Sequence, residues 1–191
     1  MLSAILLAAG ESKRMGELKQ LMPLGESTII EQAIDNLLAS AVGETIVVLG
    51  HRAEEIKKAI ATKPVKIIFN PNYRQGMSTS IIAGLNLVSS QAQAVILALG
   101  DQPLVDSQTI NQLITEFRSH DKGIVLPTYK GKRGNPVIFA IKYKAELLEL
   151  KGDIGGRDIV QRHPGDVLEV AVDSESVITD IDTREDYPPP P

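Results

Sequence analysis

Two glycines and a group of positively charged side chains follow the first apolar run of the sequence. Gly10 and Gly16 bracket a segment that contains Lys13 and Arg14, and Lys19 comes shortly after it. A glycine-rich turn lets backbone N–H groups encircle an anion, and lysine and arginine add charge-assisted hydrogen bonds. The spacing is that of neither a P-loop nor the three-glycine dinucleotide fingerprint. A polyphosphate is the natural ligand of this loop, with a solvated basic loop as the alternative.

An acidic residue stands directly after another apolar run, in the stretch LALGDQPLV. Asp101 follows Gly100 there, and Pro103 fixes the turn behind it. A carboxylate at this point suits a hard cation, for which magnesium is the obvious choice. The alternative is a helix cap, but Asp106 and Ser107 already stand where the next helix needs one. We therefore favour the metal role.

A further group of carboxylates lies near the carboxyl terminus, in ITDIDTREDY. Asp180 and Asp182 are two positions apart, so an extended chain would point both side chains to the same side. One of them could reach the cation held by Asp101. A solvated acidic terminus is the alternative, because runs of charge usually face water.

The stretch NPNYRQGMSTS precedes a helical pattern and is rich in hydroxyl groups. Ser78 or Thr79 could cap that helix. Alternatively, backbone groups at Gly76 and Met77, together with the Ser80 hydroxyl, could read the edge of a nucleobase, which requires polar groups at fixed positions in an apolar slot.

The elements that must position these residues alternate along the chain. Apolar runs of strand length are separated by helical patterns, and Thr28 and Glu31 form a capping box at the start of one of them. The runs are AILLAA, TIVVLG, VKIIFN, AVILALG and GIVLP. This alternation predicts an α/β fold with a doubly wound, mostly parallel sheet, whose ligands bind beyond the carboxyl ends of the strands. The segments NPVIFA and VLEVAV, around a short helix near 157–162, predict a small antiparallel C-terminal part.

Composition limits the possible classes of protein. A chain of 191 residues suits one domain, which we place at 1–187, with 188–191 as a proline tail. A net charge of −4 and 4% aromatic residues argue against nucleic acid and anionic membranes as partners. The absence of cysteine excludes thiolate chemistry and favours a cytoplasmic location. No apolar run approaches the ~20 residues that span a bilayer.

Together these pieces resemble a known family. LAAGESKRMGELKQLMPLG looks like the signature of nucleotidyltransferases of the molybdenum-cofactor type, within the nucleotide-diphospho-sugar transferase superfamily. The later segments NPNYRQGMSTSIIAGL, GDQPLV, RGNPVIF, GDIGGRDIV and DIDTREDY are similar to the cytidylyltransferase branch that acts on molybdopterin. The resemblance covers residues 3 to 187. It implies a Rossmann-like nucleotidyltransferase fold and transfer of CMP from CTP to the phosphate of the molybdopterin cofactor, with release of pyrophosphate.

The resemblance also implies roles for particular residues. The implied nucleotide-binding residues are Ala8, Ala9, Gly10, Ser12, Arg14, Lys19, Gly76 and Ser80. The implied ligands of Mg²⁺ are Asp101 and Asp182, and the implied catalytic residues are Arg14, Lys19 and Asp101. The chemistry is consistent with the composition: a phosphate monoester is already anionic at neutral pH, so the reaction requires positioning and charge neutralisation rather than a serine, cysteine or histidine nucleophile. We expect His51, His120 and His163 to be surface or helix-end residues.

The acceptor side is the most open part of the assignment. Lys132 and Arg133 offer a basic rim for an anionic acceptor next to Asn135, with a solvated hairpin as the alternative. The family usually has histidine where Asn135 stands and alanine where Gly156 stands. Guanylyl transfer, another small phosphorylated acceptor, or a carrier that binds the cofactor without turnover therefore remain alternatives. A molybdenum hydroxylase is a candidate partner.

Overall fold

A computed structural model describes residues 1–11, 18–183 and 186–187. In this part of the chain the strands are β1 (Leu2–Ala8), β2 (Pro23–Leu24), β3 (Ser27–Thr28), β4 (Glu44–Leu49), β5 (Lys66–Phe69), β6 (Ala94–Leu99), β7 (Ile124–Tyr129), β8 (Lys132–Arg133), β9 (Val137–Ala140) and β10 (Val167–Ala171). The α-helices are α1 (Ile29–Leu38), α2 (Ala53–Ala59), α3 (Met77–Leu85), α4 (Ser107–Ser119), α5 (Lys144–Leu148) and α6 (Arg157–Arg162).

The main sheet has the strand order β10-β7-β9-β6-β1-β4-β5, with β8 paired to β7. Strand β1 lies inside the sheet between β6 and β4, and it is parallel to both. The carboxyl ends of these strands therefore meet at one edge, as the alternation of strands and helices predicts. The two-stranded pair β2–β3 stands apart from the main sheet.

The C-terminal strands confirm one part of the prediction and correct another. Strand β9 is antiparallel to both of its neighbours, β6 and β7, as expected. Strand β10 is parallel to β7, so an antiparallel arrangement was wrong for VLEVAV. The physical reason is the connection: the chain turns directly from β7 through β8 into β9, whereas α5 and α6 carry it back across the sheet before β10.

The hydrophobic core consists of two layers, one on each face of the sheet. Successive residues of β1 alternate between them: Leu6 packs with α1 and α4 on one face, and Ile5 packs with α3, α5 and α6 on the other. Both side chains are almost completely buried. A strand covered on both faces is apolar throughout, which explains the unbroken run that made β1 visible in the sequence.

Local signals in the sequence set several helix ends. Thr28 and Glu31 form the expected capping box at the start of α1. The Asp106 carboxylate caps α4, because its Oδ1 accepts a hydrogen bond from the backbone N–H of Thr109, with 2.7 Å between oxygen and nitrogen. No helix in the described ranges is both long and apolar enough to cross a membrane.

Candidate active site

A cavity of about 710 Å³ opens at the carboxyl ends of β1 and β6. Five segments that are distant in the sequence contribute its walls: the end of β1 and the residues after it, the chain from the end of β5 into α3, the end of β6 and the residues after it, the loop between α5 and α6, and the chain near the carboxyl terminus. The residues that line it are Leu7, Ala8, Ala9, Gly10, Glu11, Lys19, Gln20, Tyr73, Arg74, Gln75, Gly76, Met77, Ser80, Leu99, Gly100, Asp101, Asp153, Asp180 and Asp182. This is the edge at which ligands bind in open α/β sheets.

Lys19 joins two carboxylates at the base of this cavity. Its Nζ lies 2.9 Å from Asp101 Oδ2 and 2.7 Å from Asp182 Oδ1, and its side chain is only 11% exposed. Burial alone would lower the pKa of Lys19, but the charge of Asp101 and the hydrogen bonds to both carboxylates outweigh burial and raise it. The ammonium group is therefore firmly protonated at neutral pH.

The end of β6 brings Asp101 to this point. Gly100, which precedes it, donates its backbone N–H to the carbonyl oxygen of Leu7 at the end of β1. A Cβ at Gly100 would lie 3.1 Å from both that oxygen and the Cβ of Ala8. Glycine therefore permits the close approach of the two strand ends that places Asp101 beside the first loop.

A third carboxylate lies close to this ion pair. Asp180 accepts a hydrogen bond of 2.7 Å from the buried amide of Gln102. Burial, together with the neighbouring charge of Asp101, raises the pKa of Asp180. As the spacing predicted, Asp180 and Asp182 both line the cavity.

The arrangement of carboxylates can be tested for its fit to a divalent cation. Asp101 and Asp182 place two anionic oxygens around one point, which Lys19 Nζ occupies. Oxygen ligands at a single point suit a hard cation such as Mg²⁺. Across residues 1–11, 18–183 and 186–187, no three acidic or histidine side chains form a complete metal-binding cluster. Phosphate oxygens and water would therefore have to complete the coordination, as Mg²⁺ commonly requires.

Residues on both sides of the basic segment of the first loop line the cavity. Ala8, Ala9 and Gly10 line the cavity. The Gln20 side-chain amide donates to the carbonyl oxygen of Gly10 at 3.2 Å, which ties the end of β1 to the chain beyond the loop. Ser12 and Arg14, for which the family resemblance implies nucleotide contacts, lie outside the described residues, as do Lys13 and the proline tail.

The opposite wall is formed by the loop before α3. Gly76 and Ser80 both line the cavity, next to Lys19 and Asp101. Of the two alternatives for this segment, a cap by Ser78 or Thr79 is not what the structure has. Gly76 is the N-cap residue instead, and the Met77 N–H donates to Asp153 Oδ1 at 3.1 Å.

Gly76 has a specific steric reason to be glycine. Its φ is +112°, and a Cβ at this position would collide with the backbone of Gly152 and Asp153. The loop 151–156 is thereby packed directly against the start of α3, with Asp153 lining the cavity. Sequence reasoning missed Asp153 because its partner, Met77, is 76 positions away.

The three residues predicted to bind the acceptor stand apart from this cavity. Lys132 and Arg133 form β8, and the Arg133 guanidinium pairs with Glu169 at 2.6 Å. The Asn135 N–H donates to the carbonyl oxygen of Val177. These residues are not among those lining the cavity, so their acceptor role stays a prediction.

The histidines are also outside the lining of the cavity. His163 pairs with Glu146 at 3.0 Å, and His120 follows the last turn of α4. The ring of His51 lies 6.3 Å from that of Tyr73, which does line the cavity. Among the described residues, no histidine lines the cavity together with Lys19 and Asp101.

The fold is that of a nucleotidyltransferase. Residues 4–167 match the MobA-like NTP transferase domain, and the chain belongs to that family. The resemblance found in the sequence is thereby confirmed.

The chain is also similar, over nearly its full length, to two proteins of similar size. The chain is 29% identical to the molybdenum cofactor cytidylyltransferase of Escherichia coli (strain K12), over 97% of this chain and 93% of that protein. It is 28% identical to nicotine blue oxidoreductase of Paenarthrobacter nicotinovorans, over 96% of this chain and 93% of that protein.

Solved structures give the same fold. Rv0371c of Mycobacterium tuberculosis H37Rv superimposes with a TM-score of 0.87 at 31% identity, over 97% of this chain and 95% of the other. A structure of Rv0371c in complex with manganese has a TM-score of 0.83 at 30% identity, over the same shares of the two chains.

Proposed function

We propose that the protein is a magnesium-dependent nucleotidyltransferase that transfers CMP from CTP to the phosphate of the molybdopterin cofactor and releases pyrophosphate. The observation that carries the proposal is the cluster of Lys19, Asp101 and Asp182 in a cavity at the carboxyl ends of β1 and β6. The similarity to a molybdenum cofactor cytidylyltransferase supports the choice of base and acceptor.

The bond changes in the reaction need no proton acceptor. An oxygen of the acceptor phosphate attacks the α-phosphorus of the nucleotide, and the bond from that phosphorus to the bridging oxygen of the β-phosphate breaks. The electron pair of this bond leaves with pyrophosphate. Because the acceptor oxygen is already anionic, the cavity can function without a histidine at its base.

The main difficulty of the reaction is the repulsion between two anions, which this cavity is suited to reduce. Lys19 contributes a buried positive charge beside the path of the phosphates. Asp101 and Asp182 would hold the divalent cation, which supplies charge neutralisation at the phosphate oxygens when bound. In this proposal the triphosphate is bound by backbone groups of Ala8, Ala9 and Gly10, together with Ser12 and Arg14. The nucleoside lies against Gly76 and Ser80.

The manganese complex of Rv0371c supports a divalent ion as part of this site. For the acceptor we retain Lys132, Arg133 and Asn135 as the proposed contacts. Replacing Lys132 by alanine would test this assignment, since an acceptor contact should change the KM for the acceptor and leave the KM for CTP unaltered.

The function can be tested by measuring pyrophosphate release with each of the four ribonucleoside triphosphates, in the presence of Mg²⁺ and molybdenum cofactor. We expect release with CTP, and a product containing both CMP and the cofactor by mass spectrometry. Release with GTP alone would replace cytidylyl by guanylyl transfer, and binding without release would support a carrier. Release that needs a different phosphorylated acceptor would refute molybdopterin as the substrate.

A relative of almost equal identity is named an oxidoreductase, so the same preparation should be tested for redox turnover. Turnover of nicotine blue, the compound in the name of that relative, is a suitable assay. We expect no turnover above that of a heat-treated sample. Turnover in that assay without pyrophosphate release in the first would refute the proposed function.

A further inference from the structure

A buried asparagine lies behind the wall of the cavity that the start of α3 forms, and it has no role in the site described so far. Asn70 directly follows β5 and is 3% exposed. Its side-chain Nδ2 lies 2.9 Å from Thr79 Oγ1 and 2.9 Å from Ser80 Oγ. Its Oδ1 lies 2.9 Å from the backbone nitrogen of Asn72. The side chain therefore links the end of the strand to the first turns of α3.

The direction of each hydrogen bond follows from the backbone. The Asn72 N–H can only donate, so the atom that faces it must be the amide oxygen of Asn70. The amide nitrogen then faces Thr79 and Ser80, and its two hydrogens serve one hydroxyl each. Both hydroxyl oxygens are acceptors in these bonds.

The two hydroxyls differ in where their own hydrogen goes. Thr79 has acceptors for it in the carbonyl oxygens of Gly76 at 2.9 Å and Asn72 at 3.0 Å. Within the described parts of the chain, the Ser80 hydroxyl has Asn70 as a donor and no acceptor for its own hydrogen. Ser80 is 5% exposed and lines the cavity. Since a buried donor needs an acceptor, the hydrogen of Ser80 is available to a ligand in the cavity.

We propose that Asn70 is a positioning residue that makes Ser80 an obligatory hydrogen-bond donor to an acceptor atom of the nucleoside, namely a carbonyl oxygen, a ring nitrogen or a ribose oxygen. The inference rests on the proposed nucleotide-binding function of this cavity. An acceptor atom is favoured at this point. A donor group of the ligand could reach the second lone pair of the serine oxygen, but it would leave the buried hydrogen of Ser80 without an acceptor.

The test uses equilibrium binding of CTP in the presence of Mg²⁺ and in the absence of the acceptor, by titration calorimetry. In Asn70→Asp the side chain keeps its shape and its contact with the Asn72 N–H, but it can only accept hydrogen bonds from the two hydroxyls. Ser80 then turns its hydrogen to residue 70 and presents lone pairs to the ligand. We expect the Kd to rise about 10- to 100-fold, the usual effect of a mismatched buried hydrogen bond.

A matched control separates this effect from the added negative charge. Asn72→Asp introduces a carboxylate at an exposed position two residues away, where it does not contact Ser80. At about 0.15 M salt we expect this variant to change the Kd by about twofold at most. An equal loss of affinity in the two variants would overturn the proposal, because charge alone would then explain both.

A double-mutant cycle tests whether Asn70 acts through Ser80. Ser80→Ala should itself raise the Kd about tenfold, and Asn70→Asp in that background should add no more than Asn72→Asp does. Fully additive losses would show that Asn70 acts only through the fold. Ser80→Ala also keeps the proposal testable if Asn70→Asp does not fold, since wild-type affinity in Ser80→Ala would refute a donor role.

Two further readouts distinguish this inference from the proposed function. A contact made equally in the ground state and the transition state changes KM but not kcat, so we expect Asn70→Asp to raise the KM for CTP at nearly constant kcat. A wild-type protein that binds no nucleoside triphosphate would refute the proposed function and this inference together. Tight binding of CTP by the wild type and by every variant would refute this inference alone.

Discussion

Replacement of Lys19 by methionine is expected to strengthen the binding of a divalent cation in the absence of nucleotide. The ammonium group lies at the point where Asp101 and Asp182 converge, so a cation held by both carboxylates must displace it. Methionine preserves most of the side-chain volume and removes the charge. The variant should therefore lose activity and gain metal affinity.

The size of this effect follows from the burial of the ion pairs. Exposed pairs contribute about 0.2–1 kcal/mol, and breaking a buried pair costs about 3–5 kcal/mol. The side chain of Lys19 is 11% exposed, and those of Asp101 and Asp182 are 28% and 31% exposed, so each pair lies between these limits. We take about 2–3 kcal/mol as the free energy that the cation must spend to break both pairs. In Lys19→Met this cost is absent, which corresponds to an increase in cation affinity of about 30- to 150-fold.

The assay is titration of the protein with Mn²⁺, followed by the electron paramagnetic resonance signal of the free ion. Lys63→Met is the matched control because Lys63 pairs with Asp35 at 2.6 Å, away from the residues that line the cavity. We expect no change of affinity in the control, whereas pyrophosphate release by Lys19→Met should fall ~10²-fold. Equal or weaker Mn²⁺ binding by Lys19→Met would refute a shared cation position.

Three further expectations concern the cavity and the fold. Gly76→Ala should lower the free energy of unfolding, measured by urea denaturation, by more than about 2 kcal/mol, because its Cβ would meet the backbone of Gly152. Gly152→Ala should lower it by only about 1 kcal/mol, because φ is +69° there but the space around a Cβ is open. Equal losses in the two variants would contradict the steric argument. Burial alone would raise the pKa of Asp166, but hydrogen bonds, led by that from Lys142, lower it to about 2. Because solvent screens this partly exposed carboxylate, we expect it to contribute about 1 kcal/mol of stability. This contribution should be complete above pH ~4 and disappear as the pH falls through ~2; a stability difference from Asp166→Asn that is independent of pH would contradict it. Asp101→Asn should lower pyrophosphate release at least ~10²-fold while the protein stays folded, with a melting temperature lowered by about 2–6 °C through the lost ion pair with Lys19. Full magnesium-dependent activity would remove Asp101 from the metal site.

The parts of the fold visible in the sequence are those governed by local or periodic signals. β1 is recognisable because burial on both faces requires an unbroken apolar run, and α1 and α4 because their capping side chains lie within three residues of the groups they bind. The direction of β10 has no such signal. It depends on the path of α5 and α6 across the sheet, which the pattern of VLEVAV does not encode.

The same distinction applies to the site. Lys19 could be named from the charge of the loop after the first apolar run, and Asp101 from its place directly after another such run. Asp180 and Asp182 could be named from their spacing of two positions, and the structure brings all four residues to one cavity. The contact between Asp153 and Met77 could not be anticipated, since it depends on the packing of two loops. Asn70 could have been found from a weak signal. An asparagine in a turn directly after a strand often accepts a hydrogen bond from the backbone two residues further on, as Asn70 does from Asn72.

The most direct test of the proposed site is a crystal structure with a non-hydrolysable CTP analogue and Mn²⁺, in which anomalous scattering locates the ion. We expect the anomalous peak in contact with Asp101 and Asp182, the triphosphate against Gly10 and Lys19, and the nucleoside beside Ser80. A peak distant from these carboxylates, or a nucleotide bound outside the cavity between β1 and β6, would contradict the assignment.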